Sequence, residues 1–225
     1  MGEIAKNLTE IKSGIPENVT LVAVSKTKPN EVLMEAYEAG QRIFGENRVQ
    51  ELVPKSETLP KNIEWHMIGH LQSNKIKYIA PFVSCIHSVD KVKLLQEINK
   101  QAAKNERVIR VLLQFHIAQE ETKFGLSLEE AETYFASPEF AELNNIEIAG
   151  VMGMATFTDN ETQVRNEFKT LKAIFDKLKT SFFPTQTSFK EISMGMSGDY
   201  KIAIEEGSTM VRVGSSIFGI RKKVD

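Results

Sequence analysis

The chain has 225 residues, 41% of them apolar and 26% charged, with a formal net charge of −2. That is enough chain for one sizeable core in one domain. The charge balance excludes a basic nucleic-acid surface or an anionic-membrane binder, and no run approaches the roughly 18 apolar residues of a membrane helix. A single cysteine, Cys85, cannot close an internal disulfide, and the charged start "MGEIAKNLTE" is unlike a secretory leader, so a reducing, cytoplasmic setting is expected.

The predicted elements alternate. An N-terminal helix from about Gly2 to Ser13 precedes a strand at Thr20 to Ser25. "PNEVLMEAYEAG" reads as a helix, with Pro29 suited to a first turn and Gly40 to a stop. Short strands follow at Arg42 to Phe44, Glu64 to Gly69 and Ser84 to Val89. "VDKVKLLQEINKQAAKN" puts Val92, Leu95 and Ile98 on one helical face, with Asp90 as its expected cap. After the strand "RVIRVLLQFHI" (Arg107 to Ile117), Ser127 and Glu130 have capping-box spacing before a helix. The strand Glu147 to Met154 precedes the longest helix, whose Val164, Phe168, Leu171, Phe175 and Leu178 share a side. Strand Glu191 to Met196, the short helix "YKIAIEEG" stopped at Gly207, and a strand at Thr209 to Gly219 complete the chain.

Eight apolar strands joined by helical crossovers imply a parallel sheet covered on both faces. The expected fold is α/β: one (β/α)8 TIM barrel over residues 1–225 with an extra N-terminal helix, an open doubly wound sheet being the rival. In a barrel the C-terminal strand ends form the working face. They select Lys26; Glu46 and Asn47; Gly69, His70, Gln72 and Asn74; Ser88 and Asp90; and the segments "SMGMSGD" and "RVGSSIFG". A lysine at the end of a buried strand is expected to be partly desolvated, which favours a neutral, nucleophilic amine able to form a Schiff base. A lysine that merely snorkels to solvent is the plain alternative. Barrels often bind phosphate after strands seven and eight. There glycines allow close backbone approach, and Ser193, Ser197, Ser215, Ser216 and Arg212 offer donors. An aldehyde-reactive lysine and a phosphate cradle in one mouth suit pyridoxal 5'-phosphate. A phosphosugar aldolase would use the same pair, and a barrel used purely as an interaction scaffold also stays open.

The segments "LVAVSKTKP", "FGENRVQE", "WHMIGHLQSNK", "SVD", "FGLS", "GVMGMAT" and "EISMGMSGDYKIAIEEGSTMVRVGSSIFG" run in order from Leu21 to Gly219. Together they resemble the YggS/PROSC family of pyridoxal phosphate homeostasis proteins. The resemblance implies the type III fold, that of the alanine racemase N-terminal barrel, with the cofactor on a Schiff base to Lys26. It implies Ser193, Met194, Gly214 and Ser215 at the phosphate, Asn47 close to the cofactor, and Arg212 facing the ring. An arginine beside the pyridine nitrogen would keep it unprotonated and weaken the ring as an electron sink. The family role is vitamin B6 homeostasis by binding and supplying the cofactor, transiently to apoenzymes, without established turnover and so with no assigned catalytic residue. A slow amino acid racemase is the alternative. Racemases of this fold draw a second acid/base tyrosine from an added domain. Here the chain ends at Asp225, and Tyr37, Tyr78, Tyr134 and Tyr200 lie off the predicted strand ends. Since the racemase dimer uses that added domain, a monomer is expected.

Other residues invite chemistry and are better read as packing. His66, His70, His87 and His116 lie on or after strands three to five, but His66 and His70 have metal-ligand spacing only on a helix, so no metal is expected. His66 should point into the barrel and His70 should line its mouth. Met152, Met154, Met194 and Met196 suit gap filling, Trp65 should face the helices, and Cys85 should be inert.

Overall fold

The computed structural model describes residues 2–120 and 124–219. Its centre is a closed barrel of eight parallel strands in sequential order, β1 pairing with β8 to complete the ring. The strands are β1 (Thr20–Val24), β2 (Ile43–Glu46), β3 (Glu64–Met67), β4 (Cys85–Val89), β5 (Ile109–Gln114), β6 (Ile146–Met152), β7 (Glu191–Met196) and β8 (Met210–Val213). Around them lie α1 (Glu3–Ser13), α2 (Asn30–Glu38), α3 (Val49–Thr58), α4 (Ile76–Ile79), α5 (Val92–Lys104), α6 (Leu128–Phe135), α7 (Glu161–Ser181), α8 (Tyr200–Glu205) and α9 (Ser215–Phe218).

The apolar residues divide by strand alternation into two layers. The larger one lies between barrel and helices and holds Phe44, Trp65, Ile86, Val111, Phe168, Leu171 and Met194. Trp65 packs there on Phe44, ring centroids 5.9 Å apart, facing the helices as its alternation required. The smaller one, with Val22, Cys85, Leu112, Met152 and Met210, fills the barrel interior. Below it the barrel is floored by charge. Arg110 pairs with Glu147 at 3.2 Å and Glu191 at 3.3 Å, and Thr209 Oγ1 donates to Glu191 at 2.8 Å.

Several boundaries differ from the sequence reading. The last strand ends at Val213, and Ser215–Phe218 is a helical turn; a glycine followed by two serines breaks the pairing although the apolar run continues. β5 stops at Gln114, and Phe115 makes only an isolated bridge to Leu126. Helix α3 contains Pro54, a residue that argues against a helix interior because it removes a backbone donor. The helix forms because Leu52 is fully buried and Val49 and Lys55 are nearly so. Asp90 does not cap α5, whose N-cap is Lys91; its carboxylate pairs with His70 Nδ1 at 3.2 Å. The Ser127–Glu130 capping box is present as the spacing required.

Candidate functional site at the C-terminal barrel rim

Lys26 stands two residues beyond the last residue of β1. Ser25 is completely buried, whereas Lys26 is exposed. The expected desolvation of this amine is therefore not found: the strand ends at Val24, and Lys26 belongs to the turn that follows, outside the low-dielectric interior. The Lys28 N–H donates to Ser25 O at 3.1 Å and closes that turn, with Thr27 at a φ of 63°. Contacts from β2 and α3 hold the turn. Ser25 Oγ donates to Glu46 Oε1 at 2.6 Å, Lys55 Nζ donates to Ser25 O at 3.0 Å and to Glu46 Oε1 at 2.6 Å, and the Thr27 N–H donates to Glu51 Oε2 at 2.6 Å. Burial raises the Glu46 pKa above its ordinary value; the Lys55 charge and hydrogen bond and the Ser25 bond offset only part of that.

The adjoining wall comes from β7 and β8. Arg212 is buried, with Nη1 donating to Ser193 Oγ at 2.6 Å and Nη2 to Gly153 O at 3.1 Å. Burial pushes its pKa down to about 10, and Asp199 opposes that shift. From Ser193 a chain runs inward: His87 Nδ1 lies 3.0 Å from Ser193 Oγ, and His87 Nε2 lies 2.9 Å from His66 Nδ1. Burial, reinforced by nearby Arg110, drops His66 to about 3. His87 is lowered as well, first by burial, then by His66, Arg212 and Arg110. Both rings are therefore neutral.

The turns after β7 and β8 join each other. The Met196 N–H donates to Asp199 Oδ1 at 2.5 Å, and the Gly214 N–H donates to Ser197 Oγ at 3.2 Å. A Cβ on Gly214 would lie 3.1 Å from Val24 O, so glycine lets this turn press against the end of β1. Ser215 and Ser216 then open α9; the Ile217 and Phe218 N–H groups donate to Gly214 O at 3.0 and 2.9 Å, which leaves the Ser215 and Ser216 N–H groups ahead of the first helical bond. Because Ala23 pairs with Val213, Lys26 and the Gly214–Ser215 turn leave neighbouring strands at the same rim.

The other candidates are spread around this mouth. Asn47 leaves a buried Oδ1 without a partner, and its backbone lies against Gly69, where a Cβ would come within 2.4 Å of Asn47 O. Ser88 Oγ is also buried and unpartnered. Met194 turns its side chain into the outer layer, and its carbonyl accepts from Ser208 Oγ at 2.8 Å. Ser193 Oγ is engaged by Arg212 and His87 inside the barrel. The four methionines do not cluster: Met152 lies inside the barrel, Met154 beside it, Met194 outside, and Met196 is exposed. His66 points inward as expected, while His70 stacks on Phe124 at 4.5 Å. His116 lies just beyond β5, its ring Nε2 2.9 Å from Glu120 O.

Sequence reasoning missed Lys55, Glu51 and the His87 link. A lysine within a helix is solvated by default, and only the apolar face of α3 could have exposed its burial. Nor did spacing in sequence reveal that His66, Cys85 and His87 approach one another, with potential ligand atoms all within 4.8 Å. That trio already holds the His66–His87 bond, faces the Arg110 charge, and has a thiol whose pKa burial pushes up to about 12. These surroundings oppose a cation.

Comparison with known proteins agrees with this geometry. Residues 1–222 match the family described as alanine racemase, N-terminal domain. A pyridoxal phosphate homeostasis protein of Aquifex aeolicus is 41% identical over 94% of this chain and 91% of its own length. PipY of Synechococcus elongatus, 34% identical, superposes with TM-scores of 0.90 in its structure without pyridoxal phosphate and 0.86 in its structure with pyridoxal phosphate bound. In both, 96% of this chain and all of the other are covered. A Clostridium difficile alanine racemase shares the fold at a TM-score of 0.73 and 17% identity, with 57% of its length matched.

Proposed function

The chain belongs to the alanine racemase N-terminal domain family and, within it, to the pyridoxal phosphate homeostasis proteins, and on that premise we propose that it binds pyridoxal 5'-phosphate through a Schiff base to Lys26. In that bond Lys26 Nζ joins the aldehyde carbon and the aldehyde oxygen leaves as water. The observation that carries the reading is the neighbouring exit of Lys26 and the Gly214–Ser215 turn from β1 and β8.

The residues at the mouth fit the cofactor. The Gly214–Ser215 turn, with the hydroxyls and N–H groups of Ser215 and Ser216, suits its phosphate. Arg212 supplies a cation on the ring side, bonded among the described residues to Ser193 Oγ and Gly153 O. The unpartnered Asn47 Oδ1 offers an acceptor for a ring substituent. When bound, the cofactor supplies an electron sink and an exchangeable aldehyde. Ser193 supports the reading as the group that orients Arg212, and Met194 through its backbone alone.

The role is a cytoplasmic carrier or buffer, monomeric, that passes the cofactor to apoenzymes and has no substantial turnover. Racemisation needs a second acid/base group opposite the lysine. Tyr37 bonds Asn62, Tyr134 packs among Phe135 and Phe140, and buried Tyr200 lies toward Gly14. Among the described residues no helix is long and apolar enough to cross a membrane. The test is visible absorbance after mixing the protein with pyridoxal phosphate. A yellow band that vanishes in Lys26→Ala supports the reading; equal colour in both proteins overturns it.

A further inference from the structure

The residues on either side of Lys26 are tied down, and the ties come from one place. Ser25 is held through its carbonyl by Lys55 at 3.0 Å and through its hydroxyl by Glu46 at 2.6 Å. Thr27 is held through its N–H by Glu51 at 2.6 Å. Glu51 and Lys55 lie one turn apart on α3, 3.8 Å from each other, and Lys55 closes on Glu46 at 2.6 Å.

This is a costly way to fasten a helix to a barrel. Glu46 is fully buried and Lys55 only 7% exposed, and well-packed apolar residues often do as well as a buried ion pair or better. Charge offers direction, and the direction here is toward the backbone that carries Lys26. The turn also needs holding. Thr27 is β-branched and sits in the left-handed region, a strained conformation that persists only where the surroundings enforce it.

Resting on the reading of Lys26 as the cofactor lysine, we propose that Glu46, Glu51 and Lys55 are positioning residues that aim the Lys26 side chain from outside the barrel. Among the described residues their bonds go to the backbone of Thr27, to Ser25 and to one another, and not to the amine. They fix the backbone on both sides of Lys26 and hence the direction of its Cα–Cβ bond. The same residues acting only as a fastener for α3 would affect stability and leave the reactivity of Lys26 unchanged.

The experiment measures how fast the yellow band grows when pyridoxal phosphate is added to the full-length apoprotein, together with the melting temperature. Glu51→Ala removes the Thr27 anchor at the rim and is expected to slow the band about tenfold, in line with the cost of misorienting a reacting group. Glu51→Gln keeps an acceptor oxygen and is expected to recover most of the rate. Lys55→Met alone strands a buried carboxylate, so Lys55 is tested in the paired variant Glu46→Gln, Lys55→Met, which is expected to fold and to be slow. Native rates in Glu51→Ala and in the paired variant overturn the positioning role while leaving Lys26 as the cofactor lysine. A native protein that never develops the band overturns that reading of Lys26, and the positioning role with it.

Discussion

The two walls of the barrel mouth hold charge in opposite ways. On the β1–β2 side the buried Glu46 pairs with Lys55 at 2.6 Å, and the half-buried Glu51 lies 3.8 Å from Lys55. On the β7–β8 side Arg212 is as deeply buried, and among the described residues it bonds neutral oxygens, those of Ser193 and Gly153, with the Asp199 charge acting on it without a bond. Lys55 and Ser25 engage Glu46 Oε1, while among the described residues Oε2 is buried without a partner, and a pair turned inward in this way can serve as scaffold. A guanidinium held by neutral acceptors keeps unspent electrostatic attraction for whatever enters. In the proposed reading the first wall fixes geometry and the second offers affinity.

The largest test of this contrast removes one member of the compensated pair. Lys55→Met leaves Glu46 buried and unpaired and should cost about 3–5 kcal/mol in urea unfolding. The paired Glu46→Gln, Lys55→Met variant should recover most of that loss. On the other wall Arg212→Met strands only two neutral acceptors, and the expected loss is about 1–3 kcal/mol. A loss as large as that of Lys55→Met would mean that the two walls are not different.

Acid should separate the walls further. His66, with a folded pKa of about 3, and His87, also lowered, stay neutral where the unfolded chain begins to take up protons near 6.5. Below pH 6.5 the unfolded state therefore binds more protons, and stability falls with falling pH by about 1.4 kcal/mol per histidine per pH unit. That loss continues to the folded pKa, about 3 for His66. Glu46 works in the opposite sense. Its pKa is raised in the fold, so its stabilising contribution is complete below the ordinary value of 4.5 and is lost as pH rises through the raised one. Urea titrations at pH 7 and 5 should show the histidine slope, and His66→Asn, which keeps an acceptor near Nδ1, should roughly halve it. The smallest effect belongs to Thr27→Gly. Relief of the left-handed φ is set against the greater unfolded freedom of glycine, leaving thermal stability within about 1 kcal/mol of native.

The sequence made the barrel legible because each strand is a nearly continuous apolar run bounded by helical periodicity. The Ser127–Glu130 cap, the outward Trp65 and the inward His66 followed from spacing alone. α3 was hidden because Pro54 contradicts a helix locally and only tertiary burial of Leu52 outweighs it. The end of β8 was hidden because "IFG" continues an apolar pattern past the point where Gly214 turns the backbone. At the site, position on the rim selected Lys26, Asn47, Arg212, Gly214 and Ser215. It did not give the exposure of Lys26, which lies in the turn beyond β1, or the outward side chain of Met194, which the alternation along β7 turns into the layer under the helices.

The ionic floor formed by Arg110, Glu147 and Glu191 lies beneath the apolar plug of Val22, Leu112, Met152 and Met210. Together they stopper the far end of the barrel, so the rim is the single doorway through which a small molecule reaches this mouth and departs from it.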